Sequence, residues 1–240
     1  MALYVGTSGW AYREWKPLFY PEGLPQGRFL AHYSTLLTAC EINATFYRSQ
    51  SEEAVKKWAQ ATPERFRFVT KAHRRLTHSK NPILDALGRA QLAEFLQSLA
   101  ALGPRLGGVL YQLPAHRKRD DGFLDAFLRG PSSAGRFAID FVDDSWVSPD
   151  VAERVAEAGG TVCYSDRIGD PPAALPPGPI GYVRLRAGRY ADSARSQWLD
   201  LFRHEATGRD VYAFVKHEGV APDDPYGGVG LARWMTNCLA

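Results

Sequence analysis

The sequence predicts an α/β protein built as a single closed barrel of eight parallel strands, the (β/α)8 TIM-type fold. Three observations point there. Eight short β-rich segments run through the chain, helix-patterned stretches separate most of them, and the 240 residues are about what one such barrel needs. At 45% hydrophobic and 23% charged residues the chain can bury a large core, and with no linker it reads as one domain over 1–240. The same alternation also allows a doubly wound open sheet as the structural alternative.

The first strand is LYVGT (3–7), followed by the turn-rich GTSGWAYREW. Residues 28–39 then place Phe29, Leu30, Tyr33, Leu36 and Leu37 on one helical face. The second strand is expected at EINATF (41–46). Its two-residue period puts Glu41, Asn43 and Thr45 toward the barrel lumen and Ile42, Ala44 and Phe46 toward the helices. SEEAVKKWAQA opens a helix with a serine cap ahead of two acidic residues.

The third strand, FRFVTK (66–71), runs into AHRRLTH, and residues 83–102 carry the longest helical pattern. Strands four to six are GGVLYQL (107–113), RFAIDF (136–141) and TVCYSD (161–166). The sixth connection, RIGDPPAALPPGP (167–179), holds five prolines, which oppose a helix and predict an irregular segment. IGYVRLR (180–186) and VYAFVKH (211–217) complete the set, with a helix over Asp192–Thr207 between them.

Composition narrows the function classes. Cys40, Cys163 and Cys238 are odd in number and widely spaced in apolar surroundings, so they read as buried thiols, neither a disulfide framework nor a zinc site. No apolar run approaches the roughly 20 residues that span a bilayer. No basic leader precedes the first strand, so the expectation is a cytoplasmic protein with no membrane partner. The net charge of +3 is too small to indicate an extended nucleic-acid footprint.

In barrels of this class the chemistry sits at the C-terminal ends of the strands. Strand three ends in Lys71, with His73, Arg74, Arg75 and His78 following; strand seven presents Arg184 and Arg186 on one face; strand eight ends in Lys216, His217 and Glu218. Glu41, Asp140 and Glu218, with Asp166 as a further candidate, are the fewer acids. That balance favours an anionic ligand such as a phosphate, a carboxylate or a nucleic-acid backbone, and ion pairs closing the barrel end are the structural alternative.

GTSG matches neither GxxxxGK[ST] nor GxGxxG, so a nucleotide cradle of those kinds is not expected. The rings around it say more. Trp10 and Tyr12 on the first loop, Phe46 and Tyr47 after strand two and Trp146 after strand five could stack on a base or sugar, or could plug the barrel top.

VGTSGWAYREW, FYPEGLPQ, EINATFYR, KAHRRLTH, GGVLYQLP, IDFVDDSW and YVRLR, in this order, resemble the YecE-like family of bacterial and archaeal proteins, a domain of unknown function. The match runs over nearly the whole chain. The resemblance implies a TIM barrel but no activity. Its pattern falls on Gly6, Thr7, Ser8, Gly9, Trp10 and Tyr12, on Glu41, Asn43, Thr45, Phe46 and Tyr47, and on Lys71, Thr77 and His78. It continues through Gln112 and Pro114, Ser145 and Trp146, and Arg184. Many members carry Glu-Phe-Arg-His after strand five, where this chain has Asp140, Phe141, Val142 and Asp143, so an acid is shortened and a basic pair is missing.

Three functional readings follow. The first is a metal-independent enzyme, a hydrolase or lyase needing no cofactor, acting on a phosphorylated or nucleic-acid-derived substrate. In it Glu41 or Asp140 serves as acid or base, Lys71, Arg184 and Lys216 clamp the anion, and Trp10 and Tyr12 stack on the ring. Asn43, Phe46, Tyr47, His78, Gln112, Trp146, Arg186 and His217 complete the expected binding set. A desolvated Lys71 could instead form a Schiff base. The second is a metal-dependent hydrolase or isomerase, which the lack of HxH or HExxH spacing weighs against. The third is a non-catalytic binder of single-stranded nucleic acid. Oligomeric state is not legible in the sequence.

Overall fold

Each short apolar run becomes a parallel strand because the helix or loop after it returns the chain to the same end of the sheet. The computed structural model describes residues 2–239, the side chains of Ala134 and Ile168 left aside. Nine strand segments form, in order β1 (Leu3–Thr7), β2 (Ala39–Ile42), β3 (Arg67–Lys71), β4 (Leu106–Leu113) and β5 (Phe137–Phe141). They continue as β6 (Gly160–Val162), β7 (Tyr164–Ser165), β8 (Ile180–Leu185) and β9 (Asp210–Val215).

Every pairing is parallel, and the sheet order is β6-β5-β4-β3-β2-β1-β9-β8-β7. Its two end segments, β6 and β7, are parted only by Cys163, whose N–H still donates to Ile139 O at 2.8 Å. They are one interrupted strand. It pairs with β5 through its first half and with β8 through its second, which closes the cylinder and gives the eight-stranded barrel of the TIM class.

Outside the sheet lie α1 (Phe29–Leu36), the single turn α2 (Ala44–Tyr47), α3 (Glu52–Gln60), α4 (Ala86–Leu99), α5 (Asp121–Leu128), α6 (Pro149–Glu157), α7 (Asp192–Glu205) and α8 (Gly228–Asn237). Ser51 caps α3 by accepting from Ala54 N at 3.2 Å, as the SEE signature predicts. After the sixth strand there is only a short turn, Asp166–Ile168, and then irregular chain up to Ile180. The prolines act as expected.

The second strand differs from its predicted bounds. It starts at Ala39, two residues early, and stops at Ile42, because Asn43 turns into helical geometry and Ala44–Tyr47 follows as α2. The Thr45 hydroxyl fastens that turn, donating to Ile42 O at 2.8 Å and Lys71 O at 2.7 Å. The strand alternation therefore ends at Ile42, and of the three positions expected in the lumen only Glu41 is held there by the strand.

The buried apolar residues fall into three groups. Val69, Leu110, Ala138, Cys163, Tyr182 and Phe214 fill the lumen. The shell between strands and helices is divided in two, one cluster around α1, α3, α7 and α8 and another around α4, α5 and α6.

Glycine at position 6 has a packing cause. A Cβ there would sit 1.8 Å from Ala39 O, so only glycine lets β1 approach β2 at that point. Tyr33 reinforces the contact: its hydroxyl accepts from Thr7 N at 2.8 Å and donates to Ala39 O at 3.0 Å. Gly9 turns the chain with φ of 109°. The glycines of GTSG thus serve strand approach and a turn.

Candidate functional site

Alternation along the strands sends polar side chains into the upper lumen, above the apolar plug. Arg184 on β8 is buried and lies at the centre, donating to Glu41 Oε1 at 2.9 Å and to Asp140 Oδ2 at 2.7 Å. Glu41, on β2, has no exposed surface. It accepts also from Ser8 Oγ at 2.8 Å and Tyr182 OH at 2.7 Å, and Arg186 Nη2 stands 3.7 Å away. Burial alone would raise its pKa. The charges of Arg184 and Arg186, with the Tyr182 and Ser8 hydrogen bonds, outweigh that and lower it to about 2. Glu41 is a fixed anion.

From Asp140 the network continues around the mouth. Gln112 Nε2 donates to Asp140 Oδ2 at 2.6 Å, and Gln112 Oε1 accepts from Lys71 Nζ at 2.7 Å. Arg167, in the turn after β7, donates to Asp140 Oδ1 at 2.9 Å. Lys71 therefore meets an amide oxygen where a carboxylate could have stood, and its ammonium lies 4.2 Å from the centre of the Phe46 ring. Burial, and next the charge of Arg184, lower the Lys71 pKa to about 8, with Glu41 and Asp140 opposing.

The other expected residues take varied places. His78 lies beside Phe46, ring centres 5.0 Å apart, and bonds Thr77 Oγ1 through Nδ1 at 2.8 Å. Its pKa is lowered, first by burial and then by Lys71. Tyr12 stacks on His217 at 3.9 Å and donates to Ser8 O at 2.6 Å, so this pair joins the network through the Ser8 that also holds Glu41. The His217 pKa is lowered by burial as well. Lys216 directly follows β9, its N–H donating to Leu185 O at 2.7 Å. Asn43 sits in the turn with its Oδ1 buried and unpartnered.

Three expected rings lie elsewhere. Trp10 packs edge-on against Trp58 of α3, 5.5 Å between centres, within the outer shell. Trp146 is buried in the other outer cluster, stacked on Phe141 at 4.7 Å, with its indole N–H donating to Arg117 O at 2.7 Å. Tyr47 points to solvent, 72% exposed. The flat rings gathered at the mouth are Tyr12, Phe46 and the two imidazoles.

Sequence reasoning did not single out Ser8's bond to Glu41, Tyr182 or Arg167. Tyr182 was available, since it shares a strand face with Arg184. Arg167 carried no signal within a proline-rich segment. Asp166, the further candidate acid, is taken up by backbone: it accepts from Arg186 N at 2.7 Å and Ala187 N at 3.0 Å, and from the Tyr190 hydroxyl. Near the mouth stand five basic side chains, Lys71, Arg167, Arg184, Arg186 and Lys216, against four carboxylates, Glu41, Asp140, Asp166 and Glu218, the last 3.7 Å from His217 Nε2. The surplus is positive.

Fold and site together define a TIM-type barrel with a cationic, ring-flanked set of strand ends at its C-terminal mouth. The chain belongs to the family described as protein of unknown function DUF72, which matches residues 4–226. It is similar to UPF0759 protein YunF of Bacillus subtilis strain 168, 27% identical over 186 residues that cover 70% of this chain and 62% of that one. To UPF0759 protein YecE of Escherichia coli K12 it is 30% identical over 115 residues, 47% of this chain and 38% of that one. The chain thus spans less than two thirds of the length of these curated relatives.

Among solved structures, a DUF72 family protein from Thermotoga maritima superposes with a TM-score of 0.77 at 21% identity, covering 100% of this chain and 99% of that one. D-psicose 3-epimerase from Clostridium cellulolyticum H10, solved with D-tagatose, gives 0.55 at 10% identity, covering 98% and 90%. These likenesses establish the barrel. No helix of the described residues is long and apolar enough to cross a membrane.

Proposed function

We propose that this chain is a metal-independent enzyme that binds a small phosphorylated or otherwise anionic substrate at the barrel mouth and exchanges a proton with it through Lys71. The observation that carries this reading is the Lys71 amine itself. It is partly buried, hydrogen-bonded to an amide oxygen and set among arginines, which leaves it near half-protonated at about pH 8. Its charged form attracts an anion, and its neutral form accepts a proton.

The surrounding groups have separate duties in this reading. Arg186 and Lys216 complete the anion clamp, Tyr12 and His217 form one flat wall, and Phe46 with His78 forms another. Glu41 and Asp140 hold Arg184 in place; with Glu41 deprotonated down to about pH 2 and its oxygens occupied, proton exchange is assigned to Lys71 in its stead. Among the described residues no group of three or more His, Cys, Asp or Glu side chains is placed to hold a metal ion. Arg184 and Arg186 bond within one lumen, to Glu41, Asp140 and Ser8, a placement that suits a small ligand better than a nucleic-acid strand.

Calorimetric titration of the purified chain with inorganic phosphate tests this. Wild type should bind phosphate near neutral pH, and Lys71→Ala should lose that binding while remaining folded. Absence of millimolar phosphate binding by the wild type would overturn the reading, as would unchanged binding by the variant.

A further inference from the structure

The irregular sixth connection leaves the outward face of the interrupted strand without a covering helix. A cleft of about 410 Å³ opens there. Val162 and Tyr164 line it from the strand, Trp146 and Ala152 from the side of α6, and Leu175 from the proline-rich segment. It lies at the seam of the outer shell, since Val162 and Trp146 pack with one apolar cluster while Tyr164 and Leu175 pack with the other. Its size falls in the range of small-molecule sites, roughly 300–1,000 Å³.

One end of this apolar cleft is charged. Asp140, Ser165 and Arg167 line it, and Asp140 is the same residue that bonds Gln112 and Arg184 in the lumen. The cleft therefore begins where the mouth ends. Arg167 spans the boundary, bonding Asp140 through Nη2 at 2.9 Å and Ser165 through Nε at 3.2 Å. Its side chain is 41% exposed, and Nη1 has no hydrogen-bond partner among the described residues.

We propose that the ligand is an amphiphilic anion: a phosphate monoester whose short alkyl or aromatic group lies in this cleft, with its anionic end toward Arg167 and the mouth. This rests on the anion-binding reading above and adds the apolar half of the substrate. A wholly polar anion would leave the exposed Val147 and the half-buried Val162 and Tyr164 facing water, and a neutral apolar molecule would leave the free arm of Arg167 unused. Val147, on the same lining, is 59% exposed and extends the apolar surface outward.

A homologous series of n-alkyl phosphates, from methyl to hexyl, titrated by calorimetry against the full chain provides the test, with inorganic phosphate as reference. Affinity should rise by about fourfold per methylene until the cleft is filled. Ala152→Phe, which fills the cleft, should flatten the series without altering inorganic phosphate binding. Val147→Asp, a change at an exposed position that leaves folding intact, should weaken hexyl phosphate by tenfold or more and leave inorganic phosphate little changed. If phosphate binds in a Lys71-dependent way yet the alkyl series is flat in wild type, the cleft proposal fails and the mouth reading stands. A rising series that survives both variants also overturns it. If no member of the series binds, both fall.

Discussion

The pKa values of Lys71 and Glu41 are both lowered within one cluster, but the consequences for stability have opposite sign, so each makes a separate pH prediction. A lysine whose folded pKa is about 8, below its ordinary 10.5, binds its proton less well folded than unfolded. Holding the charge therefore costs on the order of 3 kcal/mol near neutral pH, a cost that disappears as pH rises from about 8 toward 10.5. Lys71→Met, which keeps the stem and removes the charge, should match or exceed wild-type stability in urea unfolding at neutral pH. A large loss would make Lys71 a structural residue. Phosphate affinity, by contrast, should fall as pH rises through about 8, where the ammonium is lost. For Glu41 the sign reverses: its depressed pKa stabilises the fold above the ordinary 4.5, and the contribution is lost as pH falls toward about 2. Glu41→Gln should flatten stability across that acidic window and cost on the order of 3 kcal/mol above it.

At the scale of single elements, the β1 to β2 contact gives the sharpest expectation. Gly6→Ala drives a methyl group into Ala39 O, so it should destabilise by about 3 kcal/mol or more, seen as a lowered urea midpoint. Ser51→Ala should cost about 1 kcal/mol through loss of the α3 cap. Elements with a strong period or a cap were legible in the sequence: β1, β3, β4, β5, α3 and α7 begin or end within two residues of expectation. The second strand was misjudged because EINATF alternates like a strand throughout, while a hydroxyl bonding two carbonyls bends it after Ile42. Among site residues, those on strand faces came together as the two-residue period required, as with Glu41, Lys71, Gln112, Asp140 and Arg184. Trp10 and Trp146 lie on loops, where no period says which side of the sheet a ring takes.

For the molecule as a whole, eight strand ends converge on one mouth, and no single local motif announced that convergence. The alternation of strand and helix, summed over the chain, did. Proline content in the sixth connection was equally readable, but the cleft it leaves depends on how α6 and residues 174–177 pack around the uncovered strand, which composition does not encode. The interruption at Cys163 has a further consequence for motion. There the barrel is stitched by two short ladders, three residue pairs to one side and two to the other, beneath a divided apolar shell. Native-state hydrogen exchange should find amides 160–165 opening well below the global unfolding free energy, while those of β3 and β4 wait for complete denaturation. The cylinder would then breathe along one meridian, beside the residues that gather charge.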